Sequence, residues 1–401
     1  MSALKYWLWL SSARGVGQTR AAALIDALGS PENIYFAGED EWREAVDLPD
    51  SAVRDLQDKS TDRAERILEL CDRSGTSILT MQDAAYPERL RALYAPPCVL
   101  YYKGQMFSFD EEAALTVVGT RRPTAYGQNA AMKLCYRLAA SGMLIVSGMA
   151  SGIDAAAHLG ALRAGKPTAA VLGCGTDVIY PAENRELYED IIATGLILSE
   201  YPPGTRAEGA HFPARNRILS GLSLGVMVVE APMSSGALIS ASFALEQGRD
   251  VFAVPGGIDS RESEGSNRLI REGAILVTRA EDVTTEYQAL FPHKITSAAP
   301  GTPRYMPRPK AARGVLRDAG SEAAPGPDEP VKAVDLTALV SGYTPDQQRI
   351  LLAIAKNPMI ADEIISVTAL PAPLVLSELT MLELDGIVEQ APGRRYTIKL
   401  A

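Results

Sequence analysis

The sequence predicts an α/β protein built on a doubly wound, mostly parallel sheet. A small helical domain precedes the sheet and a winged-helix-like domain follows it. Three observations carry this reading. Short apolar runs recur at 115–118, 143–146, 168–172, 196–198, 225–229, 251–254 and 274–277, most of them separated by stretches of helical length. These runs are apolar throughout rather than alternating, as strands buried on both faces are. Beyond them a proline-rich stretch breaks the pattern, and a new set of helices starts after it.

Residues 1–85 read as helical. In "SSARGVGQTRAAALIDALGSPENIY" two helical patterns flank Gly15-Val16-Gly17. Such a turn fits a SAM or helix-hairpin-helix-like module whose amides hold a phosphate. It equally fits a small helical packing module with a glycine turn. The segment 86–104, "YPERLRALYAPPCVLYYKG", reads as an extension packed onto the α/β domain of 86–292.

Residues 293–334 read as a Pro/Ala/Gly-rich linker. Seven prolines fall within 298–330, and Arg304 to Arg317 holds five basic residues and no acidic one. Such a composition cannot bury a core and favours extended, partly polyproline chain. From 335 to 401 the order is three helices and a β-hairpin, with Thr344 as N-cap and Pro345 at the first helical position. In a winged helix the third helix usually reads DNA. Here it carries Glu378 and Glu383 with Asp385 following, and no Lys or Arg. Phosphate would repel it, so a protein contact or a structural role is expected.

Composition narrows the function. The chain has 401 residues, 47% of them apolar and 22% charged, with a net charge of −10. That charge excludes coating nucleic acid through bulk attraction. It leaves room for a local basic cleft, because screening limits each charge to about 8–10 Å. No stretch is long and apolar enough to span a bilayer. The start, "MSALKYWLWLSSARG", has its apolar core broken by Lys5 and shows no cleavage site. A cytoplasmic location without membrane association is therefore expected. Cys71, Cys98, Cys135 and Cys174 are scattered, and the three histidines are not at ligand spacing. Buried free thiols are expected, with no metal and no cofactor.

In an open parallel sheet, ligands bind beyond the carboxyl ends of the strands. The first such loop, "VVGTRRPTAYG" (117–127), has the outline of a dinucleotide-binding turn, with Arg121, Arg122 and Pro123 in place of glycines. The others are "SGMASG" (147–152), "GCGTDVIYPAEN" ending at Asn184, "HFPARNRILSG" and "APMSSGALIS". Gly and Ser at helix N-termini expose amide donors, and arginines add bidentate phosphate recognition. Several such loops along one crevice would hold phosphates in series. Within "PARNR", residues two apart on a helix face opposite ways, so one arginine faces a ligand while the other pairs with a carboxylate such as Glu230 or Glu200. Arg215 is favoured for the ligand, and Arg121 over Arg122. Asp154 and His158, four apart, share a helix face. Without a paired nucleophile they read as a helix-start Asp and a packed His, not as a catalytic dyad. Phe212 fits either a base-stacking role or the core.

These stretches, followed by "VVEAPMSSGALISASFALEQGRDVFAVPG" and "GSNRLIREGAILV", resemble the DNA-processing protein A (DprA/Smf) family, closely over 86–290. The resemblance implies an extended Rossmann fold, single-stranded DNA as ligand, homodimerisation and help in loading the RecA recombinase in natural transformation. It implies no enzymatic activity. Carried onto this sequence, its DNA contacts fall on Arg121, Ser147, Gly148, Asn184, Phe212, Arg215, Asn216, Ser235 and Gly236, with Arg122 and Arg217 as second members of their pairs. Its dimer contact falls on Leu269, Ile270, Ile275 and Leu276. Ser151 stands where the family commonly has Arg. A competing reading is a nucleotide-processing enzyme resembling phosphoribohydrolases. The chain keeps Pro255-Gly256-Gly257 of that motif, while the catalytic Glu at its spacing is not evident.

Overall fold

The computed structural model describes residues 2–296, 343–355, 359–384, 387–391 and 395–398. The chain divides into two compact units, Met1–Gly301 and Thr302–Ala401.

In the first unit the apolar runs assemble into one nine-stranded sheet. Its strands are β1 (Ser77–Thr80), β2 (Val99–Gly104), β3 (Ala114–Val118), β4 (Leu144–Ser147), β5 (Thr168–Leu172), β6 (Leu196–Ser199), β7 (Gly225–Val228), β8 (Asp250–Ala253) and β9 (Ile275–Leu276). The spatial order is β1-β2-β6-β5-β4-β3-β7-β8-β9. Strands β3 to β9 pair in parallel, whereas β2 is antiparallel to both β1 and β6. From β3 the chain winds outward through β4, β5 and β6, then returns to lay β7 on the other side of β3. The loops after β3 and β7 therefore part toward opposite faces, leaving a crevice between them.

Among the described residues of the first unit, the α-helices after the N-terminal module are α7 (Glu88–Arg91), α8 (Ala125–Ala140), α9 (Ile153–Arg163), α10 (Arg185–Thr194), α11 (His211–Leu222), α12 (Ala237–Glu246), α13 (Glu264–Arg271) and α14 (Glu281–Tyr287). Alternate residues of β3 serve the two faces of the sheet. Leu115 and Val117 join Leu134, Leu138, Ala157 and Ala161 of α8 and α9. Ala114 and Val118 join Ile218, Leu222, Ala241 and Ala244 of α11 and α12. Double coverage is why these strands read as unbroken apolar runs.

The N-terminal module comprises α1 (Ser2–Ser12), α2 (Gly17–Leu28), α3 (Pro31–Phe36), α4 (Glu39–Ala45), α5 (Asp50–Gln57) and α6 (Asp62–Ser74). Its core of Trp7, Trp9, Leu24, Trp42 and Leu56 is shared with Val99 and Tyr101 of β2. The Lys59 ammonium lies 4.4 Å from the Trp42 ring centroid and about as close to Trp9 and Tyr35, a cation–π cage. The first half of the Gly15-Val16-Gly17 turn is packed inward. Val16 is buried, and the Gly15 N–H donates to the Asp55 carboxylate at 2.8 Å. A Cβ on Gly15 would lie 2.7 Å from the Ala52 backbone. That amide serves an internal carboxylate, not an external phosphate. Strand β1 falls inside the stretch read as helical, because four residues give too short an alternation to register.

The α/β unit also runs past the expected linker start at 293. Ile295 is buried, and the Thr296 N–H donates to Ser141 O at 3.0 Å. One apolar residue among polar ones leaves no periodic trace in sequence. The rest of the linker reading, Arg304 to Arg317 included, lies outside the described residues. All four cysteines are free and buried. Among the described residues, no single helix is long and apolar enough to cross a membrane.

The second unit holds helices Pro345–Ile354, Ala361–Thr368 and Ala372–Leu384 and the antiparallel pair Val388–Ala391 with Arg395–Ile398. Thr344 caps the first helix, its side chain accepting from Gln347 N while Gln347 returns a bond to the Thr344 N–H. Ile350, Ile354, Ile364, Val375, Leu379 and Val388 form its core. Asp385 and Arg394 lie outside the described residues.

Candidate nucleic-acid interface

The crevice at the β3/β7 switch point measures about 540 Å³. It is lined by the loop after β3 (Gly119 to Arg121), Asp154, Tyr180, Phe212 and the Ser234-Ser235-Gly236 turn. Glu230, the carboxylate that follows β7, ties the two loops together at the base. Its backbone oxygen accepts the Thr120 N–H at 2.7 Å, and its buried carboxylate accepts Thr124 N at 2.9 Å and Thr124 Oγ1 at 2.6 Å. Negative charge at the N-terminus of α8 is favourable, and Gly127 leaves room for it: a Cβ there would collide with the Glu230 carboxylate. The segment Arg121-Arg122-Pro123 is thereby fixed with both arginines exposed. The Arg121 guanidinium stands 5.0 Å over the Phe212 ring.

Two amides of the "SGMASG" loop are already engaged. Asp154 takes them from inside, accepting from Ala150 N at 3.3 Å and also from Gly148. Burial pushes the Asp154 carboxyl up to about 6, against the opposing pull of Arg215. The sequence-favoured ligand arginine, Arg215, is only 4% exposed. It donates to Gly148 O at 3.1 Å and to Val171 O, and desolvation lowers it to about 10. A Cβ on Gly148 would sit 2.5 Å from Arg215 Nη2 and 2.7 Å from Asp154 Oδ2, so a larger residue there would displace one of these two side chains. Arg217 pairs with Glu200, with Nη1 to Oε2 at 3.0 Å. Both arginines of α11 thus spend donors on internal partners, Arg215 while still lining the crevice floor.

Three further expected contacts are internal supports. The Ser147 hydroxyl is fully buried and donates to Val117 O at 2.6 Å. Asn184 Nδ2 donates to Met149 O at 2.9 Å, holding a residue at φ 58°. A non-glycine residue in that region is strained by about 1–3 kcal/mol, and this bond helps to retain it. Asn216 Nδ2 donates to Gly236 O at 3.3 Å and so anchors the α12 turn from beneath. Gly236 itself is exposed, with nothing within 4 Å of where a Cβ would stand. Ser235 is half-buried beside it, and Ser151 donates to Glu183 at 2.6 Å near the mouth.

The structure thus gathers Arg121, Phe212, Arg215, Asn216, Ser235 and Gly236 around the crevice, with only some facing it. The sequence missed Tyr180, an exposed aromatic whose ring lies 5.5 Å from Phe212. Its signal was an aromatic beside proline in the loop after β5. His158 is no partner for Asp154: its Nδ1 is 2.8 Å from Thr168 Oγ1, and burial lowers it to about 3. Pro255, Gly256 and Gly257 do not line the crevice. Gly256 exchanges two bonds with the Asn267 side chain, both 3.1 Å. At the edge strand β9, Leu269 and Ile275 pack partly on the core, while Leu276 is 46% exposed.

A family profile described as DNA recombination-mediator protein A matches residues 77–288, and one described as DprA winged helix domain matches residues 322–394. Protein Smf of Synechocystis sp. is 36% identical over 400 residues, covering 98% of each chain. DNA processing protein DprA of Streptococcus pneumoniae is 46% identical over 208 residues, 51% of this chain and 72% of that one. The X-ray structure of DNA processing protein A from Streptococcus pneumoniae aligns with a TM-score of 0.61 at 35% identity, covering 71% of this chain and 99% of that chain. Fold, crevice and both matched regions agree: this chain belongs to the DNA recombination-mediator protein A (DprA/Smf) family of DNA-processing proteins.

Proposed function

We propose that this protein binds single-stranded DNA along the switch-point crevice, as a non-enzymatic DNA-processing protein of recombination. One observation carries the reading: an exposed arginine, Arg121, stands over the Phe212 ring and lines one crevice with an open Ser-Ser-Gly helix turn. Arg121, Arg122, Ser235 and Gly236 make the contacts with phosphate, and Phe212 carries the Arg121 guanidinium on its ring. Ser147, Gly148, Asn184, Arg215, Asn216 and Arg217 position them. A polynucleotide offers phosphates in series, each needing a donor but none needing glycine close-approach. The phosphoribohydrolase-like reading has less support, because the Gly256 backbone is already bound to Asn267. Homodimerisation through the β9 edge, RecA as partner, a role in transformation and a cytoplasmic location belong to the same proposal, on family likeness.

Fluorescence anisotropy with labelled oligonucleotides tests it. Backbone contacts carry no sequence information, so different sequences will bind alike, duplex more weakly, and affinity will fall steeply with salt. Arg121→Ala will cost about 1.5–3 kcal/mol of binding, only partly recovered by Arg121→Lys, which lacks the fork geometry. Salt-independent binding, preference for duplex, or cleavage of AMP by the pure protein would sink the reading.

The C-terminal unit is proposed as dispensable for holding DNA. Over 341–401, five basic residues stand against seven acidic. Truncation after Pro330 will leave single-strand affinity near wild type, while truncation after Ala298 also removes the basic stretch and will lower it modestly. Abolition of binding by the first truncation would make the tail a DNA reader.

A further inference from the structure

We propose that Tyr180 is the base-stacking residue of the crevice, and that Phe212 is its support rather than the stacking platform. This rests on the single-strand reading above and specifies what that site recognises. The Phe212 ring is already engaged. Arg121 stands over it at 5.0 Å, and the Tyr180 ring lies 5.5 Å away, tilted by 38°. Behind it, Gly173 lets the ring approach: a Cβ there would be 2.9 Å from Phe212 Cδ1. Phe212 is half-buried, whereas its aromatic neighbour is exposed.

Tyr180 is the outer member of this stack. It lines the crevice and is 41% exposed. Its hydroxyl makes no hydrogen bond to the described residues, so nothing ties the ring to a polar partner. An aromatic held against a ring that also carries a guanidinium presents a π-face in the same crevice as a charge that takes phosphate. Every base has a π-face, so such a platform tolerates any sequence. It does require the base to be unpaired and unstacked. Tyr180 therefore supplies the preference for single strands, which the arginines alone cannot, because duplex also carries phosphates.

A cycle that varies both protein and DNA tests this. Anisotropy is measured for wild type, Tyr180→Ala, Tyr180→Leu and Tyr180→Phe, with a mixed-sequence oligonucleotide and with one of equal length carrying abasic sites throughout its centre. Tyr180→Ala and Tyr180→Leu will weaken binding of the intact oligonucleotide by about tenfold, or about 1.4 kcal/mol. Neither will weaken binding of the abasic one, and Tyr180→Phe will stay within about twofold of wild type on both. Tyr180→Leu still covers Phe212, so its result stands even if the alanine variant folds poorly. Equal weakening on both oligonucleotides, or none on either, would overturn the assignment while leaving the DNA reading in place. Failure of the wild type to bind single strands at all would overturn both.

Discussion

Replacing Arg215 with methionine will destabilise the α/β unit by about 3–5 kcal/mol, the range for removing one partner from a buried charged pair. The guanidinium lies under the crevice floor, bonded to Gly148 O and Val171 O and electrostatically coupled to buried Asp154. Methionine would fill the space but leave the carboxylate without its countercharge. DNA affinity will fall too, because the "SGMASG" loop loses its anchor, and lysine will rescue little. A pH series identifies the cause. Burial raises Asp154 to about 6, above the unfolded carboxyl near 4. A folded value above the unfolded one means that the folded state binds the extra proton, so stability rises as pH falls from above 6 toward 4. Arg215 opposes that rise. In Arg215→Met the carboxyl moves further up, and the gain between pH 7.5 and pH 5 will exceed that of wild type. Urea denaturation at both pH values measures it. An Arg215→Met protein as stable as wild type would return this residue to a surface role.

The Glu230→Ala variant will lose about 3 kcal/mol and much of its DNA affinity. Hydrogen bonds to a charged group are worth about 1.5–3 kcal/mol each when one partner is removed. Glu230 receives two such bonds from Thr124 and sits at the start of α8. Without it the loop carrying Arg121 is held from the β7 side by the Thr120–Glu230 backbone bond alone. Glu230→Gln keeps the shape and one acceptor and will lose about half as much. Thermal unfolding with parallel anisotropy on one oligonucleotide separates the two effects. If Glu230→Ala binds and melts like wild type, the loop is fixed by something other than this carboxylate.

The sequence alone determined the strands from β3 to β8, since burial on both faces forces unbroken apolar runs. It also placed the helix start at Thr344 and Pro345, where capping chemistry is local. It located the loops of the site, because a parallel sheet puts them all at one end. The tertiary structure decided which polar residues of those loops face outward. Arg215 and Arg217 are alike in sequence, and both are turned inward. Arg217 meets Glu200 and Arg215 is set beside Asp154, partners distant in the chain that no periodicity reports. Ser147 and Asn184 had the residue types of ligand contacts and spend their donors on Val117 and Met149. Tyr180 looked like a loop aromatic until Phe212, contributed by another helix, came to lie beneath it. A buried polar group must find a partner wherever the fold brings one, and that pairing exists only once the chain is packed.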